Sequence, residues 1–239
     1  MEWNEISKSG LSEEQIRVSK NYVSWSLISQ YSTLSEEFIE EFEDLINWMV
    51  ISQYQKLSET FIEKHKGLLN WYNISRYQVL SEDFMERNAE YLDWEIASRY
   101  QIMSEPFLDK HASKVDWRKV SEFQSLSDEF MRRHIDKIDL ELICVKQKLT
   151  EDFMTEFKDY LEWGRIVKWQ TFNEDFIIKN LDNIDLCYLM TYKAHLLSNT
   201  FYETHFKKLV CILLTNICNR FVVQYEPVDI PPELGKNDP

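Results

Sequence analysis

NWMVISQYQKLSETFIEKHKGLL (residues 47–69) runs straight into NWYNISRYQVLSEDFMERNAEYL (residues 70–92), and the two segments align residue for residue without a gap. Outward from this pair, the same 23-residue register holds at Trp25, Trp48, Trp71, Trp94, Trp117 and Trp163, with Leu140 and Leu186 filling the slot where Trp is absent. Trp3 stands one residue out of step, 22 before Trp25. A fixed period of this length marks a solenoid, in which each unit buries its apolar face only against its neighbours. The expected fold is therefore an all-α solenoid of short two-helix repeats.

Each repeat carries two helix-start signals. Asn47, Asn70, Asp93, Asp116, Asp139 and Asp185 stand immediately before the Trp slot, where a side-chain oxygen can accept from the free N–H groups of a first turn. Three residues after the slot comes an aliphatic residue such as Ile51 or Ile74, then a small one such as Ser52 or Ser75, and at six an aromatic such as Tyr54, Tyr77 or Phe123. Steps of three keep to one helical face over a short span, so these columns are expected to pack between repeats. The first helix ends near a recurring Gln (Gln55, Gln78, Gln101, Gln124, Gln147, Gln170). A second cap follows in Leu57-Ser58-Glu59, Leu80-Ser81-Glu82 and their variants, with Phe three residues after the Ser. Ser is a favoured N-cap, and the acid behind it faces the positive end of the helix dipole.

The chain reads as a degenerate N-terminal capping repeat over residues 1–24, tandem two-helix repeats over 25–208, a C-terminal capping helix over 209–225 and a flexible tail over 226–239. Gln15 stands where later repeats carry Phe, and about two extra residues enter between Lys193 and Leu196. The opening stretch MEWNEISKSG is polar, so no signal peptide is expected. The longest apolar run, Leu209 to Leu214, is too short for a membrane span. Four cysteines without a CxxC pair suggest reduced thiols in a cytosolic compartment, with Cys144 a small packing residue in a serine slot.

With 27 basic and 41 acidic residues the net charge is −14, which opposes general affinity for phosphates or anionic membrane. Seventeen of the acids already have a role as caps or in a first turn, which weakens the idea of an acidic decoy that mimics nucleic acid. Histidine recurs at one slot (His65, His111, His134, His205), but equivalent residues on stacked helices lie ~8–10 Å apart, too far to share one zinc. The Ser column lacks a His and an acid at fixed offset, so a serine nucleophile is not expected. The aromatic columns could stack bases, yet basic side chains do not line them consistently, and Arg118, Lys119, Arg132 and Arg133 form the densest basic group. No phosphate loop, metal motif or catalytic dyad appears, so neither a cofactor nor an enzymatic activity is expected.

The string LSEEFIE (34–40) followed by LINWMVISQYQKLSETFIEKHKGLLNWYNISRYQ (45–78) resembles tandem repeats found in many proteins of giant and other large DNA viruses, and in some phages. The resemblance covers residues 1 to about 186 and rests on the W-x-x-I-S-x-Y-Q and L-S-E-x-F-I blocks in combination; Leu140, Leu186 and Lys146 depart from it. It implies a viral origin and an array fold, in a family mostly without assigned activity. The expected role is a scaffold or protein-binding module in a host cytoplasm or virion, with a self-associating virion component and the acidic decoy as alternatives. Variable positions on a solenoid read the partner. These are the two residues after each Trp slot (Tyr72, Asn73, Glu95, Ile96, Arg118, Lys119, Gly164, Arg165) and the residue five after it (Arg76, Arg99, Glu122, Lys168).

Overall fold

The computed structural model describes residues 3–205, 207 and 210. Among them the chain is helical with no strand, and the helices recur with the sequence period. It forms an all-α solenoid that divides into two compact units, Met1–Gln147 and Lys148–Pro239. The expected capping helix over 209–225 lies outside the described residues except for Val210, and the tail over 226–239 lies wholly outside them.

In the first unit the first helices of the repeats are Trp3–Ser7, Trp25–Tyr31, Trp48–Tyr54, Trp71–Tyr77, Trp94–Tyr100, Trp117–Phe123 and Leu140–Lys146. Each stacks directly on the next. Second helices Glu13–Ser19, Glu36–Glu41, Glu59–Lys64, Glu82–Arg87, Glu105–Lys110 and Asp128–Arg133 alternate with them. The second unit continues with Glu151–Glu156, Trp163–Trp169, Glu174–Lys179 and Leu186–Tyr192. There, the first helix Trp163–Trp169 packs on Leu186–Tyr192. A 3₁₀ turn, Ala194–Leu196, sits where the extra residues enter the register.

Both caps form as the sequence predicts. Asp93 Oδ1 accepts from the Ile96 N–H and Ser104 Oγ from the Phe107 N–H. Helices of six or seven residues are too short to persist alone in water, so bonds between repeats must hold them. Three columns supply those bonds. The hydroxyl of Ser75 accepts from the Asp93 N–H of the next repeat, and Ser98 serves Asp116 in the same way. Glu59 accepts from the backbone N–H and hydroxyl of Ser81, and Glu82 does so for Ser104. Gln78 donates from Nε2 to the carbonyls of Ser52 and Gln55 and accepts at Oε1 from the Leu57 N–H. The recurring Gln is thus a buried clamp on the preceding repeat.

The first repeat supplies one of these bonds internally. Gln15 accepts from the Ser12 N–H while Ser12 caps Gln15, a reciprocal capping box. Its first helix spans five residues where later ones span seven, and the connection after it is one residue longer and turns at Gly10 (φ 75°) in the left-handed region, so helix and connection together are one residue shorter. That shortening explains why Trp3 is one residue out of step.

The core is built from the aliphatic column (Ile28, Ile51, Ile74, Ala97, Val120, Ile143), the Phe column, and the residue after each Phe (Ile39, Ile62, Met85, Leu108, Met131). Cys144 is buried in the serine slot. The in-register indoles Trp25, Trp48, Trp71, Trp94, Trp117 and Trp163 are half-buried and each donates back to the preceding connection, whereas Trp3 is exposed. Trp94 donates from Nε1 to the Ala89 carbonyl of the preceding connection (2.8 Å) and stacks near Phe107 and His111 of the following helix. The aromatic residues six after the slot depart from expectation. They are exposed, because two steps of three fall short of two full turns by about a third of a turn at 3.6 residues per turn.

Candidate partner-binding face

The displaced aromatic column forms a ladder along the stacked first helices: Tyr31, Tyr54, Tyr77, Tyr100 and Phe123, one rung per repeat, all exposed. Lys146 occupies the next rung and faces Glu122 at 3.8 Å, so the ladder of the first unit closes with an ion pair. Cations from the preceding position stack between rungs. The guanidinium of Arg76 lies 5.0 Å from the ring centres of both Tyr77 and Tyr100. That of Arg99 lies 5.0 Å from Tyr100 and 4.7 Å from Phe123. Arg76 also donates to the Tyr72 hydroxyl (3.1 Å), which holds its pKa above the ordinary value. Two residues beyond their rungs, Val79 and Ile102 are 94% and 90% exposed. The second unit repeats the motif once: Lys168 Nζ lies 4.9 Å from Trp169 and 5.4 Å from Tyr192.

The residues read from sequence as partner-facing distribute unevenly over this surface. Tyr72, Arg76 and Arg99 belong to the ladder's margin or its cation layer, and Lys168 to the corresponding place in the second unit. Glu95 and Arg118 are exposed; Ile96, Lys119, Gly164 and Arg165 are half-covered. Glu122 is engaged by Lys146, and Arg165 by Glu162. Asn73 is a correction. It is only 5% exposed, because its Nδ2 donates to the Met49 carbonyl of the preceding repeat (2.9 Å), and it therefore serves the stack. The rungs themselves and Val79 and Ile102 were missed as surface residues. Their signal was present in the sequence: the column changes from Tyr to Phe to Trp while staying aromatic, but period alone assigned it to the core.

Charges on the second helices behave differently. Glu40 accepts from Lys64 (2.7 Å) and lies 3.1 Å from His65 Nε2; Glu86 pairs with Lys110; Asp109 pairs with His134 Nε2 (2.5 Å) and Arg133 (2.7 Å). These bonds, from Lys64 to Glu40, from Lys110 to Glu86 and from His134 to Asp109, hold the three carboxyls below their usual pKa. Of the basic group read from sequence, Arg133 is thus tied to an acid. The histidine slot forms helix C-caps, and Asn88 in the same slot returns Nδ2 to the Phe84 carbonyl. Among the described residues no group of three or more His, Cys, Asp or Glu side chains could hold a metal ion, and no helix is long and apolar enough to cross a membrane.

The chain matches no protein-family model, and comparison with curated proteins and with solved structures gives no significant match. Fold and surface chemistry alone define its class: an α-solenoid carrying an exposed aromatic–cation ladder.

Proposed function

We propose that this protein is a non-enzymatic scaffold that binds a protein partner through the ladder face of its first helices. The observation that carries this reading is the sandwich of Arg76 and Arg99 between exposed rings, flanked by nearly bare Val79 and Ile102. Aromatic residues and Arg dominate binding hot spots, and contiguous exposed apolar surface marks interaction sites. The rings are held by rigid stacked helices, which lowers the ordering cost of binding. Following the resemblance of its repeat blocks to viral tandem repeats, we place the partner in an infected cell or a virion. The acidic-decoy alternative has less support, since Glu13, Glu36, Glu59, Glu82 and Glu105 are occupied as caps for the next repeat.

Affinity purification with the full chain and with a Tyr100→Ala/Phe123→Ala variant tests this. Both side chains are exposed, so helical circular dichroism and thermal unfolding should be retained. The expected outcome is a defined partner set recovered by the parent and lost by the variant. Recovery of the same set by both proteins, or of none by the parent, removes the reading.

A further inference from the structure

We propose that the occupant of the ladder is an acidic, proline-rich polypeptide lying in polyproline II conformation across Tyr77, Tyr100 and Phe123. The proposal rests on the protein-binding reading above and specifies the chemistry of its partner.

Pitch is the first argument. The rungs sit on first helices that stack directly, so they recur at the ~8–10 Å spacing of packed helices. The guanidinium distances of 4.7–5.0 Å on either side of each cation are compatible with that spacing. A polyproline II helix rises ~3.1 Å per residue with three residues per turn, so one side returns every ~9 Å. A β-strand presents the same face every ~6.6 Å and an α-helix about every 5.4 Å, and neither delivers one side chain per rung. Polyproline II ligands also need no ordering of backbone hydrogen bonds and dock on aromatic-lined surfaces. Their carbonyls remain open to donors. The Tyr77 and Tyr100 hydroxyls have no hydrogen-bond partner among the described residues and are exposed to meet them.

Charge is the second argument. In a chain of 41 acids and 27 bases, Arg17, Lys64, Lys110 and Arg133 all find carboxylates. Arg76 and Arg99 pair with none among the described residues and rest instead on rings. A guanidinium presents its donors in a fork that fits a carboxylate. One ligand acid per three residues would meet one cation per repeat. A nucleic-acid strand fits less well: it carries a phosphate every ~3.4 Å, whereas the ladder offers one cation per repeat, so most phosphates would meet no cation.

The test is fluorescence anisotropy with the full chain and a labelled peptide of repeated Pro-Pro-Glu triplets. Comparison arms are Pro-Pro-Lys triplets, Gly-Gly-Glu triplets and oligothymidylate. We expect saturable binding of Pro-Pro-Glu, weakened about tenfold or more in each comparison arm and in an Arg76→Gln/Arg99→Gln variant, a loss of roughly 1.4 kcal/mol or more. Tyr100→Ala should weaken it as well, and Arg99→Lys should restore part of what Gln removes. Circular dichroism of each variant separates lost binding from lost fold. Absence of Pro-Pro-Glu binding, equal binding of any comparison arm, or indifference to the Arg variants overturns the proposal. If Pro-Pro-Glu fails while partner recovery still depends on Tyr100 and Phe123, the ligand class falls and the protein-binding reading stands. If partner recovery ignores those rings, the reading itself falls.

Discussion

Gln101 donates to the Ser75 and Gln78 carbonyls at 2.8 and 2.7 Å and accepts from the Leu80 N–H at 3.0 Å, all within the preceding repeat. Gln101→Leu preserves bulk but leaves three buried backbone groups without partners, each costing ~1–3 kcal/mol. The variant should lose about 3 kcal/mol or more in urea unfolding; a loss below about 1 kcal/mol would mean that water replaces the amide. His111 offers a second test. It is 8% exposed, its Nε2 has no hydrogen-bond partner among the described residues, and burial pushes its pKa below the ordinary 6.5, with nearby Lys114 and Lys110 acting in the same direction and Glu86 against it. Because the folded value is depressed, the unfolded chain takes up the proton first as pH falls. Stability should therefore drop as pH goes below about 6.5. His111→Asn, which copies Asn88 and Asn180 in the same slot, should flatten thermal stability between about pH 7 and 5.5. An unchanged slope there would assign the effect elsewhere. The depressed carboxyls of Glu40, Glu86 and Asp109 act in a lower window, where stability is lost as pH falls through their folded values.

Among elements, the second-helix cap joins local and inter-repeat chemistry. Ser104 caps Phe107 within its helix, while its own N–H and hydroxyl go to Glu82 one repeat earlier. Ser104→Ala should cost about 1 kcal/mol as an ordinary cap loss. Combined with Glu82→Ala, the two losses should fall short of their sum, since both remove the same hydroxyl–carboxylate contact. Strict additivity in a double-mutant cycle would show that the two caps act independently. The Ser-Glu pattern was legible as a cap with a favourable dipole position. That the Glu reaches 22 residues forward was not legible, because the helix dipole already accounted for it.

For the whole molecule, the division at Gln147 follows a repeat that departs twice from the grammar, with Leu140 in the Trp slot and Lys146 in the aromatic slot. The same Lys146 ends the aromatic ladder of the first unit. The net charge of −14 also looks different in three dimensions. Many acids cap or pair between repeats, while Arg76 and Arg99 stand out on an apolar strip. Chain composition therefore predicts the behaviour of the ladder poorly, because a partner docking there meets local rather than net charge.

Period, helix starts, the Gln ends of the first helices and the Ile and Phe core columns followed from sequence alone, because each is set by residues within one repeat and merely recurs. Helix geometry within one repeat already turns the offset-six rings outward; tertiary structure decided that Asn73 turns inward and that Arg76 and Arg99 lie between rings. Those outcomes depend on the rotation of one short helix against the next, and contacts between residues 24 apart exist only once the repeats stack.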